Sequence, residues 1–382
     1  MLKLTTEFRG SDMAQSDANG AGLQRAYLPG LDAFRVIAFG LVTVHHYISV
    51  EAKYAGDTLL SPQLTYGISG VDLFFVLSGY MMTRLYLNRS DERRPGPLQF
   101  IIDRFARVYP VYWAVTAALV AVYLYNSDLV FGGSRYVEPS LVRSFLLWPD
   151  VGPPLNAVAW SLVHLVYFYV VSAVILKLPH GWLKPAMAVW VVATLGLYGI
   201  GASAWSYEFA VFASPLTLEY VAGMVVALIA APSKRIAIPV VAASTVAIIA
   251  AVTFMNLNDI QVRHIEPLYR VAFYAPVPAL LIWGLGGWTA AAPQPGLFSL
   301  AGFARAGFSL FLTHILVLSV LGLIWARFAQ PGLWDNILAL PIMLAAAMAG
   351  AMICERVFET PIARFVRTQT RKRKEPRLPQ GS

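Results

Sequence analysis

Apolar stretches of about twenty residues recur along this chain at nearly even intervals, and no other feature narrows its fold so far. A helix of about twenty residues matches the hydrocarbon thickness of a bilayer. Within that layer every backbone N–H and C=O needs a partner from its own segment, so such stretches read as helices. The spans read from the sequence are 32–51, 68–88, 108–127, 157–177, 184–203, 209–231, 236–256, 268–288, 306–326 and 334–356. The expected fold class is an all-α polytopic membrane protein of about ten transmembrane helices. Composition agrees, since 58% of the residues are hydrophobic and only 13% are charged, against about a quarter charged in an ordinary soluble domain. That is too little polar side chain to coat a globule of this size in water. The gaps between spans leave no room for a separate soluble domain.

The flanks complete the plan: a polar cytoplasmic leader (1–30), a transmembrane domain (31–360) and a basic cytoplasmic tail (361–382). No apolar core or small-residue cleavage site precedes Leu31, so the first span is expected to serve as an uncleaved insertion signal. With both termini in the cytoplasm, the outer segments hold only Lys53, Arg135, Arg143, Arg263, Arg270 and Arg327 of the 29 basic residues. This is the bias the positive-inside rule describes. The net charge of +8 then reflects topology, and no nucleic-acid partner is expected. The Arg371–Lys374 run is expected to lie against anionic lipid headgroups or in solvent. The single cysteine, Cys354, cannot form an intramolecular disulfide and reads as a small apolar residue.

Ionisable residues within apolar spans are costly, about 2.5–3.5 kcal/mol each on insertion scales, so each needs a reason. The first span carries Arg35 and the pair His45–His46. Eleven residues of helix turn about 20° past three full turns and rise about 16 Å, so Arg35 and His46 share one face at two depths, while His45 points about 80° away. From spacing alone, two readings stand level. Arg35 snorkels to headgroups and His46 bonds another helix, or both act on a substrate. The second span carries Asp72 at its outer end and Ser78–Gly79 in its middle. Small residues there permit close helix packing, or close approach of a narrow acyl or pantetheine chain. Ahead of the third span, Arg104 and Arg107 lie at i and i+3 on one face, beside Tyr109 and Trp113. Arginine's fork of donors suits phosphate, although interfacial anchoring is the commoner use of such a pair. Trp160, Ser161, His164, Tyr167 and Tyr169 mark the fourth span, Glu219 the sixth, His314 the ninth, and Glu355 and Glu359 the end of the tenth. Each alone reads as a structural polar contact.

Phosphate-loop, dinucleotide and zinc-protease motifs are missing, and no His, Asp or Glu set has metal-ligand spacing, so no metal is expected. The absence of a clear internal repeat weakens a transporter built from inverted halves.

Together these segments resemble the acyltransferase 3 family of membrane O-acetyltransferases, which modify O-antigen, exopolysaccharide and nodulation factors. The resemblance rests on Leu31-Asp32-x-x-Arg35 with His46 eleven residues on, the run Gly70 to Tyr80 (GVDLFFVLSGY), and Arg104-x-x-Arg107 before Tyr109-Pro110. It continues through Trp160-Ser161-Leu162, Phe168-Tyr169, Glu219 with Gly223, and Leu312-Thr313-His314, in family order over nearly the whole chain. The family implies a multi-pass protein of the bacterial inner membrane. It implies a cytoplasmic acyl-CoA donor, usually acetyl-CoA, with no permanently bound cofactor, and an acceptor hydroxyl on a carbohydrate or glycolipid. It also implies that His46, Arg35, Arg104 and Arg107 are essential. Histidine is poised near neutral pH to take a hydroxyl proton, and cytoplasmic arginines suit the phosphates of CoA. On this reading the catalytic set is His46, Arg35 and Glu219. Arg104, Arg107, Ser78, Gly79 and Tyr109 line the donor, and Asp72, Trp160, Ser161, His164 and His314 face the acceptor.

The pattern breaks at Leu165, where the family usually has Glu; the adjacent His164 points about 100° away on a helix. Either Glu219 or another carboxylate stands in, or this copy is altered. Phe311 likewise stands where Tyr is common. The rival expectations are a transporter or flippase for a glycan or lipid intermediate, and an inactive membrane scaffold. The outer 128–156 segment, with Tyr136, Arg143 and Trp148, is expected to help recognise the acceptor.

Overall fold

The computed structural model describes residues 28–56, 59–60, 70–87, 96–127, 130, 138–258, 260, 265–288, 299–330 and 333–372. The leader up to residue 27, Arg89, Arg93, Arg94, Arg135, Tyr136, Arg263 and the chain beyond Lys372 lie outside these residues. Among the described residues every regular element is helical.

In chain order these are α1 (Pro29–Tyr54), α2 (Gly70–Leu87), α3 (Pro97–Tyr125), α4 (Leu141–Leu146), α5 (Trp160–Ile175), α6 (Leu183–Gly199) and α7 (Tyr207–Phe212). They continue with α8 (Thr217–Ala227), α9 (Lys234–Leu257), α10 (Pro267–Tyr274), α11 (Pro276–Gly286), α12 (Leu300–Trp325), α13 (Leu333–Cys354), a π-helical turn at Glu355–Glu359, and α14 (Thr360–Lys372). Proline opens α1, α3 and α10, in the first turn where its missing N–H has no helical partner to lose.

Seven stretches among the described residues are long and apolar enough to cross a membrane: 29–54, 97–125, 157–175, 234–257, 267–286, 300–325 and 334–365. Each span expected from the sequence meets helix, with three differences. The third span begins earlier, at Pro97, so Arg104 and Arg107 lie inside α3 rather than ahead of it. The sixth is two helices, α7 and α8, parted at Ser214-Pro215-Leu216, where proline removes a donor and disfavours helix in the residue before it. The eighth breaks between α10 and α11 beside Pro276 and Pro278.

Two packings position the polar residues. α1 and α12 run parallel and in register. A Cβ on Gly307 would lie 2.4 Å from the ring of Phe39, and one on Gly322 would lie 2.5 Å from the ring of Tyr54. Between those contacts, the rings of His46 and His314 meet with centroids 5.1 Å apart. α2 and α8 cross more tightly still. A Cβ on Gly79 would lie 1.9 Å from the carbonyl oxygen of Tyr220, and one on Gly223 would lie 1.9 Å from that of Val76. Backbone packs on backbone at this crossing, as small residues allow between membrane helices.

Candidate active site

α1 carries polar groups at two heights and an aromatic layer between them. At the lower height, Arg35 bonds within its own helix, through Nη1 to Asp32 Oδ1 at 3.2 Å. Arg107 comes from α3, close enough for its charge to act on Arg35. One Nη2 of Arg107 lies 3.8 Å from Glu359 Oε1 at the end of the π turn, and half of the side chain is exposed. Ser309 of α12 donates to the other oxygen of Glu359 at 2.9 Å. Arg104, one turn earlier, points Nη1 at the sulfur of Met82 (3.3 Å) and lies over the Phe100 ring (5.8 Å). Its Nε is buried with no hydrogen-bond partner among the described residues. A guanidinium has five N–H donors. The three arginines therefore converge with most of their donors unspent, and the buried Tyr169 sits beside two of them.

Phe39, one turn above Arg35, faces Phe74 at 5.4 Å and Phe311 at 6.2 Å, and Phe74 stacks on Phe311. This collar of three rings separates the arginines from the histidines.

Above it, His46 touches His45 (4.8 Å between centroids) and His314 (5.1 Å). His314 is fully buried, and its Nδ1 lies 2.9 Å from the Leu310 carbonyl. A carbonyl only accepts, so Nδ1 carries the proton and Nε2 bears a lone pair. That Nε2 is buried with no hydrogen-bond partner among the described residues.

A third cluster sits at the α2–α8–α10 junction. Asp72 is wholly buried and receives Arg270 Nε and Nη2 at 2.7 and 2.8 Å. Glu219, equally buried, faces both Asp72 and Arg270, with the Asp72 carboxyl close enough to share a hydrogen bond with it. The charge of Arg270 also reaches His164, whose Nδ1 lies 3.3 Å from the Trp160 carbonyl. His164 packs beside Trp160 and Phe75.

The structure thus gathers the expected residues into three sets: Arg35, Arg104 and Arg107; His46 and His314; Asp72, Glu219 and His164. Others have structural places. Gly79 faces the backbone of α8, so the room a donor chain would need there is filled, with Ser78 buried alongside. The Tyr109 hydroxyl donates to the Leu146 carbonyl at 2.8 Å, away from the arginines. Ser161 is buried and bonds the Val158 carbonyl at 3.3 Å. Leu165 is 1% exposed within the main apolar core.

Arg270 is the residue sequence reading missed as a site group. It counted only as an outer-side charge, although a lone arginine in an apolar segment asks for a buried acid. The 128–156 segment, described at 130 and 138–156, is held by polar contacts to its neighbours. Tyr109, Tyr112 and Trp113 of α3 donate to the carbonyls of Leu146, Ser144 and Phe145, and Asn156 reaches the carbonyl of Leu312 at 3.3 Å. The segment therefore folds down beside α3 and α12, turning at Leu147 with φ 51°. On its exposed side, Trp148 donates to Glu208 at 2.8 Å, and Arg143 lies 3.8 Å from the same carboxylate. Hydrogen bonds from Ser206 and Trp148 hold the Glu208 carboxyl below the usual carboxylate range.

Comparisons with known proteins give this helix bundle a family. The chain belongs to the acyltransferase 3 family, whose acyltransferase domain matches residues 28–356. It is 27% identical over 303 residues to the exopolysaccharide production protein ExoZ of Rhizobium meliloti, covering 76% of this chain and 86% of that one. It is 27% identical over 191 residues to the peptidoglycan O-acetyltransferase OatA of Listeria monocytogenes, covering 45% of this chain and 28% of that one. A putative O-acetyltransferase of Staphylococcus aureus is 37% identical over 97 residues, 25% of this chain and 14% of that one. No solved structure matches.

Proposed function

We propose that the chain is a membrane O-acyltransferase that moves an acetyl or similar acyl group from acyl-CoA to a hydroxyl of a cell-envelope or exported carbohydrate. In this reading about ten helices cross the bacterial inner membrane, with α2, α6 and the α7–α8 pair completing the seven long spans. The observation that carries the reading is the arrangement along α1: arginines with unspent donors below, paired histidines above, about 16 Å apart by helical rise. Phosphates need the first. An acceptor hydroxyl needs a base, which the second supplies. A long thin donor arm spans the aromatic collar between them, with its thioester away from bulk water.

His46 acts as the general base. The hydroxyl oxygen attacks the thioester carbonyl while its proton passes to His46. The C–S bond then breaks, and the departing thiolate takes that proton back. Arg35, Arg104 and Arg107 hold the donor, and the Asp72–Arg270–Glu219 cluster with His164 supports the acceptor side. The names of the relatives above support a carbohydrate acceptor, and the exposed Trp148 with the partly exposed Arg143 beside it is suited to receive it.

The test is consumption of labelled acetyl-CoA by protein reconstituted in lipid, with an extract of envelope glycans as acceptor. Wild type turns the donor over; His46→Ala falls by about 10²–10⁴-fold, the usual worth of a general base. Equal turnover in wild type, His46→Ala and Arg107→Ala, all well folded, overturns the assignment.

A further inference from the structure

Among the described residues no carboxylate backs His46 as one ordinarily backs a histidine base. Leu165 is packed in the apolar core, and among the described residues neither Asp72 nor Glu219 pairs with the imidazole. The side chain that meets His46 from another helix is His314, 5.1 Å away between ring centroids. Its geometry is specific. The bond from Nδ1–H to the Leu310 carbonyl fixes the tautomer and the ring plane. The opposite nitrogen, Nε2, is left as a pure acceptor, wholly buried and with no donor supplied to it among the described residues. A buried acceptor without a donor is costly. Such a cost is typical of a group reserved for a partner that arrives during function. When His46 takes a proton both of its ring nitrogens become N–H donors, and the imidazolium so formed needs an acceptor.

We propose that His314 is a positioning residue for the transfer, its Nε2 accepting the N–H of one His46 ring nitrogen while the other nitrogen takes the proton of the acceptor hydroxyl. The role rests on the acyl-transfer reading above and names the group that completes it. The proton moves from the hydroxyl to His46 and leaves on the CoA thiol; His314 accepts a hydrogen bond throughout and neither gains nor loses a proton. It thus takes the part a carboxylate plays beside other histidine bases, with a neutral ring in place of a charge.

Substitutions at His314 separate this role from packing. Asparagine places an amide N–H near the Nδ1 position and keeps the tie to Leu310, but offers nothing at Nε2. Glutamine places a carbonyl oxygen near Nε2 and loses the tie. Steady-state acetyl transfer to glycan is measured for wild type, His314→Ala, His314→Asn and His314→Gln in lipid, with thermal unfolding of each to confirm folding. The expected result is a fall in kcat of about 100-fold for Ala and Asn, within the range a hydrogen-bonded base partner contributes, with Gln keeping most of the rate and KM for acetyl-CoA unchanged throughout. Activity retained by Asn and lost in Gln means that the Leu310 tie alone matters and overturns the role, as does an Ala variant at wild-type rate. A folded wild type that transfers nothing overturns the acyl-transfer reading itself, and this role falls with it.

Discussion

A guanidinium in a membrane helix is tolerated when something uses its donors, and Arg104 and Arg107 use few of theirs. If those donors serve the phosphates of a donor, Arg107→Ala raises KM for acetyl-CoA at least about tenfold, and Arg107→Lys recovers little of it, because a point charge does not reproduce the fork. Initial rates against acetyl-CoA concentration decide this. Leu165→Glu tests the opposite expectation. The position is 1% exposed in apolar core, so a carboxylate there loses its hydration without a ready partner. The expected outcome is a less stable protein, by about 1–3 kcal/mol, with no gain in turnover; higher turnover means that the missing acid limits this copy. The Arg35–His46 stripe was legible in the sequence because one helix fixes its spacing. The meeting of His46 with His314 was not, since it depends on the register of two helices far apart in the chain. Arg270 stayed hidden for the same reason, as its acid lies on α2.

At the scale of elements, the apolar lengths announced the helices, and proline explains why the sixth span is two helices, parted at Pro215, and why the eighth is interrupted beside Pro276. The start of α3 was missed because Arg104 and Arg107 look like the end of a span rather than its interior. Gly79 and Gly223 were legible only as small residues, with their partners set by the crossing of α2 on α8. Adding a methyl at either puts a carbon 1.9 Å from a carbonyl oxygen. Backbone cannot swing aside as a side chain does, so Gly79→Ala and Gly223→Ala are each expected to lower stability by about 3 kcal/mol or more. Thermal unfolding in detergent measures it, and a variant within error of wild type contradicts the crossing. The Asp72–Arg270 pair gives a second test. Arg270→Met alone leaves a buried carboxylate uncompensated and is expected to cost about 3–5 kcal/mol, whereas Asp72→Leu with Arg270→Met costs less. Equal losses in the single and double variants contradict the pairing.

The molecule divides along α1 into an arginine level, an aromatic layer and a histidine level. The sequence suggested the division through the bias of its basic residues, but the layer depends on Phe39, Phe74 and Phe311 coming from three helices. Proposed sidedness is open to labelling: in a chain whose Cys354 is replaced by Ala, Glu208→Cys is expected to react with an impermeant maleimide from outside intact cells, and Arg364→Cys only after permeabilisation. The reverse pattern inverts the topology. The central claim, acyl transfer from the arginine side to a glycan at the histidine side, is tested most directly in sealed proteoliposomes with labelled acetyl-CoA restricted to one face and glycan acceptor present on both. The account predicts labelled acetyl on glycan only when the donor is on the arginine side, and its loss in His46→Ala. Glycan that crosses the membrane without acquiring label, in wild type and His46→Ala alike, would contradict it and identify a transporter instead.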